Sequence, residues 1–102
     1  MINAELKEYL ANDDVMDMLK TIDRLNPTEL PVNRVCTIKK LAETMDKSIT
    51  DVWKMCDAGV RVGVLMYYGG VLSRKRVDLT DLGEDIIDAD GTEELRKILN
   101  RA

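Results

Sequence analysis

The sequence predicts a mostly α-helical fold that carries one small β-hairpin. In several stretches apolar residues recur at spacings of three and four, the period of a helix with one buried face. Around the pair Gly69-Gly70 the pattern changes to alternation, which is typical of two strands joined by a tight turn. A length of 102 residues suits one domain with a modest core. We therefore expect residues 1–102 to form a single domain.

Composition narrows the function classes. The chain is 45% hydrophobic and 33% charged, as folded soluble proteins are. No apolar run approaches the roughly 20 residues that span a bilayer, and the N-terminal stretch is acidic and helical in pattern rather than a signal peptide. We expect a cytoplasmic protein with no membrane partner. Because the chain has only two separated cysteines and no histidine, we expect neither a cofactor nor a metal site. The sequence shows no nucleophile–base pair, so we do not expect an enzyme.

Two helices are expected in the first 26 residues. One apolar stripe contains Leu6 and Leu10, and the next contains Val15 and Leu19. On a single continuous helix these stripes would point to nearly opposite sides. We therefore predict a break at residues 12–14 with Asn12 or Asp13 as the new N-cap. The second helix should end near Leu25, before Asn26-Pro27.

The stretch Thr37–Gly59 contains two short helical patterns separated by a tight turn. The two apolar stripes are Ile38, Leu41, Ala42 and Met45, then Ile49, Val52, Met55 and Cys56. Thr37 and Ser48 are the expected N-caps. A helix, a short turn and a second helix at a steep angle form a helix-turn-helix unit. The small side chain of Ala42 should let the helices cross closely.

Strands are expected on both sides of this unit. Val32–Cys36 is predicted as a short edge strand. The alternation of Val60, Val62 and Val64 predicts a strand running to Tyr68, and Val71–Thr80 should return antiparallel to it. The expected register pairs Tyr68 with Val71, Val62 with Val77 and Arg61 with Asp78.

Two further helices should complete the chain. Thr80 is the expected cap of a core helix in which Leu82 and Ile86 lie one turn apart. Thr92 should cap a terminal helix within residues 91–102. That helix and the first one, residues 1–12, are candidate dimerisation elements, because their apolar stripes exceed what one small domain readily covers.

Charge is distributed unevenly along the chain. The net charge is −4, yet residues 33–76 carry nine basic and four acidic side chains. The local sign of the charge decides what a surface attracts. The central segment is therefore a candidate surface for a polyanion. A mixed, solvated surface is the alternative.

The predicted order of helix, short strand, helix, helix and hairpin resembles the winged helix-turn-helix fold over roughly residues 14–90. Leu41-Ala42, followed by apolar residues at the later spacings, matches its motif, with Asp46 where glycine is usual. The segments 58–60 (AGV) and 74–83 (RKRVDLTDLG) resemble MarR-type regulators. The resemblance implies three core helices plus a wing, with extra N- and C-terminal helices.

The resemblance also implies a sequence-specific DNA-binding transcription regulator. In such proteins the second helix of the motif enters the major groove of double-stranded DNA and the wing contacts phosphates or the minor groove. A homodimer would place two recognition helices about one DNA turn apart. The positions that correspond to DNA contacts are Lys39, Lys40, Lys47, Ser48, Thr50, Lys54, Arg61, Arg74, Lys75 and Arg76.

The alternative is a winged-helix adaptor that binds a protein of the transcription machinery and reads no DNA. Asp51 and Asp57 on the second helix would oppose phosphates, and the predicted hairpin is apolar on both faces, as protein contacts often are. The residues that would make this contact are Trp53, Leu65, Tyr67 and Leu72. The sequence is equally compatible with a core position for Trp53.

Overall fold

A computed structural model describes residues 2–26 and 36–88 of the chain. These residues form five helices and a two-stranded antiparallel sheet, which confirms the mostly helical class and is compatible with a winged-helix-like arrangement. Most of the predicted strand Val32–Cys36 and the predicted helix within 91–102 lie outside the described residues. The elements are α1 (Ile2–Leu10), α2 (Asp13–Leu25), α3 (Ile38–Met45), α4 (Ile49–Arg61), β1 (Leu65–Tyr68), β2 (Arg76–Leu79) and α5 (Asp81–Asp88).

The predicted break between α1 and α2 is confirmed. The side chain of Asn12 caps α2 by accepting a hydrogen bond from the Asp14 N–H at 2.9 Å. Helix α1 packs against the rest of the chain. Leu6 is fully buried, and the Tyr9 hydroxyl donates to the Met55 carbonyl of α4 at 2.7 Å. Leu6 of the predicted α1 stripe therefore belongs to the core, and Tyr9 and Leu10 pack partly against it. A homodimer stays a prediction.

The caps and the turn of the helix pair α3–α4 follow the sequence pattern. Thr37 accepts from the Lys40 N–H, and Ser48 accepts from the Asp51 N–H, each at 3.1 Å. Between the helices Asp46 has a left-handed backbone (φ 55°), which a short polar side chain tolerates better than most. Ala42 is buried at this packed junction. At the start of α4, however, Ile49 is 40% exposed instead of belonging to the buried stripe.

Helix α4 runs further than the sequence pattern indicates. The predicted strand from Val60 is wrong, because α4 continues to Arg61 and β1 begins only at Leu65. Gly63 ends the helix with φ 88°, while its N–H bonds to the Val60 carbonyl and the Val64 N–H to the Gly59 carbonyl. This pair of bonds is a Schellman motif, in which glycine supplies the left-handed residue. The alternation of valines thus reflects a helix end.

The predicted register of the hairpin is also wrong. Tyr68 pairs with Arg76, Tyr67 with Val77 and Met66 with Asp78, so residues 69–75 form the connecting loop. Gly69 and Gly70 do adopt positive φ, but a 3₁₀ turn at Leu72–Arg74 lengthens the loop. The observed register buries Leu65, Val77 and Leu79 together. Burial of one face of a sheet specifies its register more strongly than a turn signal does.

The start of α5 is fixed against the end of α4. Thr80 caps the helix as predicted, accepting from the Gly83 N–H at 3.2 Å and donating to the Gly63 carbonyl at 2.6 Å. Gly83 packs so closely that a Cβ there would lie 2.3 Å from the Val64 carbonyl oxygen. Only glycine permits this approach without a shift of the backbone.

The side chain of Asn26 joins three parts of the fold. Its Oδ1 accepts from the Cys36 N–H and its Nδ2 donates to the Val77 carbonyl, both at 3.0 Å. Next to it, the Val77 N–H donates to the Cys36 carbonyl at 2.9 Å. Asn26 is only 8% exposed, so these bonds are shielded from water. The end of α2 is thereby fixed both to the segment before α3 and to β2.

We expect the variant Asn26→Leu to lose roughly 2–3 kcal/mol of unfolding free energy, since a buried donor and a buried acceptor are left without a partner. Urea denaturation monitored by circular dichroism measures this loss. The matched variant Asn26→Asp keeps an acceptor for Cys36 but cannot donate to Val77 when ionised. Its deficit should shrink as the pH falls and the carboxyl gains a proton. An Asn26→Leu protein as stable as the parent would contradict this role.

Candidate nucleic-acid interface

Five of the ten predicted DNA-contacting residues meet where the first turn of α3 adjoins the hairpin. The Ile38 N–H donates to the Lys75 carbonyl at 3.0 Å, and Thr37 forms a β-bridge with Arg76. These main-chain contacts place the cations at the start of α3 beside those that precede and begin β2. We call this set the basic cluster; its members are Lys39, Lys40, Arg74, Lys75 and Arg76.

Most side chains of the basic cluster are exposed to solvent. Lys39, Lys40, Arg74 and Arg76 are exposed and Lys75 is half-buried. Within residues 2–26 and 36–88, no salt bridge to the four exposed members is formed. Arg74 lies on the 3₁₀ turn instead of sharing the strand face with Arg76. Unpaired cations close together create a positive potential that attracts a polyanion.

One side-chain hydrogen bond links the hairpin to α4. The Tyr67 hydroxyl of β1 donates to the Asp57 carboxylate on the exposed side of α4. The Lys75 ammonium lies over the Tyr67 ring, 4.8 Å from its centroid, within the range of a cation–π contact. Burial is the main cause that raises the pKa of Tyr67, and the hydrogen bond to Asp57 raises it further. The phenol therefore keeps its proton and remains the donor to Asp57 at neutral pH.

The other predicted cations lie apart from the basic cluster. Lys47 forms a salt bridge with Asp14 at 3.2 Å, an exposed pair of the kind that contributes little to stability. Lys54 and Arg61 line a cleft of about 440 Å³ between α1 and α4, together with Glu5 and Glu8. The acidic wall of this cleft opposes the approach of phosphates.

The first turn of α4 presents polar side chains to solvent. Ser48, Thr50 and Asp51 are all exposed. Although the Ser48 oxygen accepts the capping bond, its hydroxyl proton can still be donated. Together these groups offer both donors and acceptors to a ligand.

The four predicted protein-contact residues differ widely in exposure. Leu65 is 2% exposed and belongs to the core, so its assignment to a contact surface is wrong. Trp53 and Tyr67 are half-buried and pack against the core. Leu72 is 75% exposed, and its neighbour Val71, which sequence reasoning did not single out, is 71% exposed. The set therefore does not form one open apolar face.

The two cysteines are buried and do not form thiolates at neutral pH. Burial raises the pKa of the Cys36 thiol and of the Cys56 thiol to about 12. Both therefore stay protonated at neutral pH and behave as small hydrophobic side chains. Among the residues described, no group of three or more His, Cys, Asp or Glu side chains could hold a metal ion.

Comparisons with protein-family models, with curated proteins and with solved structures return no match. In the described ranges, none of the helices has both the length and the apolar character needed to cross a membrane.

We expect Asp57 and Tyr67 to be energetically coupled by about 1 kcal/mol, because each loses its hydrogen-bond partner when the other is changed. A double-mutant cycle of Asp57→Asn and Tyr67→Phe, followed by urea denaturation, measures this coupling. Asp51→Asn combined with Tyr67→Phe is the matched control and should show no coupling. Additive effects of the first pair would contradict the contact.

Proposed function

We propose that this protein is a winged-helix transcription regulator that binds double-stranded DNA in a sequence-specific manner. The order of α2, the Cys36–Thr37 segment, α3, α4 and the β1–β2 hairpin supports the proposal. So does the bridge between Thr37 and Arg76, which adds a third segment to the edge of the sheet. In this assignment α4 is the recognition helix and the hairpin is the wing.

The basic cluster is the observation that carries the proposal. It places four exposed cations and the half-buried Lys75 on one surface of a chain whose net charge is −4. A polyanion such as the DNA backbone releases counterions when it binds several cations at once, which gives binding its affinity and its dependence on salt. The cations near α1 and α2, which face carboxylates, contribute less.

Sequence reading is assigned to the exposed face of α4. Thr50 and Ser48 could contact base edges or phosphates. Asp51 could accept a hydrogen bond from the amino group of cytosine. Asp57 has a structural role, because its carboxylate accepts a hydrogen bond from the Tyr67 hydroxyl.

Binding of a generic duplex, measured by fluorescence anisotropy from low to physiological salt, tests the proposal. Affinity should fall steeply with salt, and the double variant Arg74→Ala and Arg76→Ala should reduce the slope of log K against log salt by about 2. Lys7→Ala, which removes an exposed cation of α1, is the control and should leave the slope unchanged.

Two results would contradict the proposal. If the protein does not bind duplex DNA even at low salt, it is not a DNA-binding protein. If selection from a random duplex library enriches no common sequence, binding is not sequence-specific. An enriched sequence whose selection depends on Thr50 and Asp51 would support α4 as the reader.

A further inference from the structure

The tip of the hairpin loop carries the two most exposed large hydrophobic side chains of the described residues. Val71 is 71% and Leu72 is 75% exposed, whereas Ile49, Val60 and Met66 are only 36–41% exposed. Loop tips are normally built from glycine and small polar residues, which satisfy the turn and the solvent. Two adjacent aliphatic side chains at such a tip contribute nothing to the core and indicate a contact with another molecule.

The backbone holds this tip in a defined shape. The Arg74 N–H donates to the Val71 carbonyl at 3.0 Å, and the Lys75 N–H donates to the Leu72 carbonyl at 3.1 Å. The Arg76 N–H closes the loop by donating to the Gly69 carbonyl. Leu72 has φ 52°, a left-handed conformation that is unfavourable for a residue with a Cβ. Glycine or asparagine would take this position more easily. A strained residue of this kind motivates a hypothesis of function.

Positive charge lies close to the tip. Arg74 and Arg76 follow it directly in the sequence and are exposed, and the 3₁₀ turn packs near α3, which carries Lys39 and Lys40. An apolar tip next to several cations fits a partner that has anionic groups outside and apolar surfaces inside. Duplex DNA offers phosphates and stacked bases, and an anionic lipid surface offers headgroups and acyl chains.

The connection of the hairpin to α4 favours DNA over lipid. The hydrogen bond between Tyr67 and Asp57 and the packing of β1 against α4 tie the two elements together. A partner bound by the exposed face of α4 would therefore also meet the loop tip. This step rests on the DNA-binding function proposed above.

We propose that Val71 and Leu72 form an apolar wedge that enters the minor groove and partly unstacks a base step. Arg74 and Arg76 hold the phosphates on either side. Aliphatic wedges of this type kink the duplex, and the unstacking is offset by the additional contacts that the bent DNA makes. The wedge should prefer flexible pyrimidine–purine steps, where unstacking costs least.

The experiment uses A·T-rich duplexes with the adenine analogue 2-aminopurine at successive positions, because this base fluoresces more strongly when it is unstacked. The parent protein should increase the fluorescence at neighbouring positions and bring dyes at the duplex ends closer together. Leu72→Ser should abolish both signals and weaken binding about tenfold, with the salt slope unchanged because the phosphate contacts remain.

Two further variants separate the wedge from stability and from general hydrophobicity. Leu72→Gly relieves the left-handed strain, so the free protein should be at least as stable as the parent while both DNA signals are lost. Met66→Ser removes a partly exposed side chain from β1 of the same hairpin and should retain both signals.

The possible failures are distinguishable. If the parent protein does not bind the duplex at low salt, both the wedge and the proposed function are overturned. Binding without any change in 2-aminopurine fluorescence overturns the wedge alone. Binding to phosphatidylserine vesicles that is lost in Leu72→Ser, while DNA binding is unaffected, would also overturn it and assign the tip to a lipid surface.

Discussion

The buried amide of Asn26 is the interaction on which the arrangement of the candidate interface depends. It satisfies the Cys36 N–H and the Val77 carbonyl at the C-terminal end of α2. A hydrophobic residue could fill the space but would leave both groups without a partner, a cost that the fold avoids by using an amide. Because Cys36 precedes α3 and Val77 lies in β2, this one side chain fixes where α3 begins relative to the hairpin.

The basic cluster follows from that geometry. Once Cys36 and Val77 are aligned, the bridge from Thr37 to Arg76 and the bond from Ile38 to Lys75 come next along the two segments. The cations of α3 and those of the hairpin are then neighbours through main-chain hydrogen bonds. Such an arrangement does not rely on flexible side chains finding each other. The backbone that carries the charges is therefore already ordered before a partner binds.

Local signals in the sequence predicted much of the helical part. The caps at Asn12, Thr37, Ser48 and Thr80 depend on residues close in sequence, and so does the left-handed turn at Asp46. The hairpin register could not be predicted in the same way. Gly69-Gly70 is a genuine turn signal, but β2 is also aligned by Cys36, some 40 residues earlier, and a contact of that kind leaves no local pattern.

The candidate site shows the same division. The sequence identified the basic segment, but not which of its cations face carboxylates. That depends on α1 packing beside α4, which brings Glu5 and Glu8 opposite Lys54 and Arg61. An apolar stripe such as that of α1 does not by itself show whether it covers its own core or a second copy of the chain, and the structure places Leu6 of this stripe in the core. Leu65 was assigned to the surface because the predicted strand was out of register with the core.

The most direct test of the central claim, that the surface joining α3 and the hairpin binds duplex DNA, is an NMR titration of the labelled protein with a generic duplex at low salt. The largest changes in amide chemical shift should fall on Lys39, Lys40, the loop 69–75, Arg76 and the first turn of α4. Changes that are confined to α1 and the cleft beside it, or no changes at all, would contradict the account.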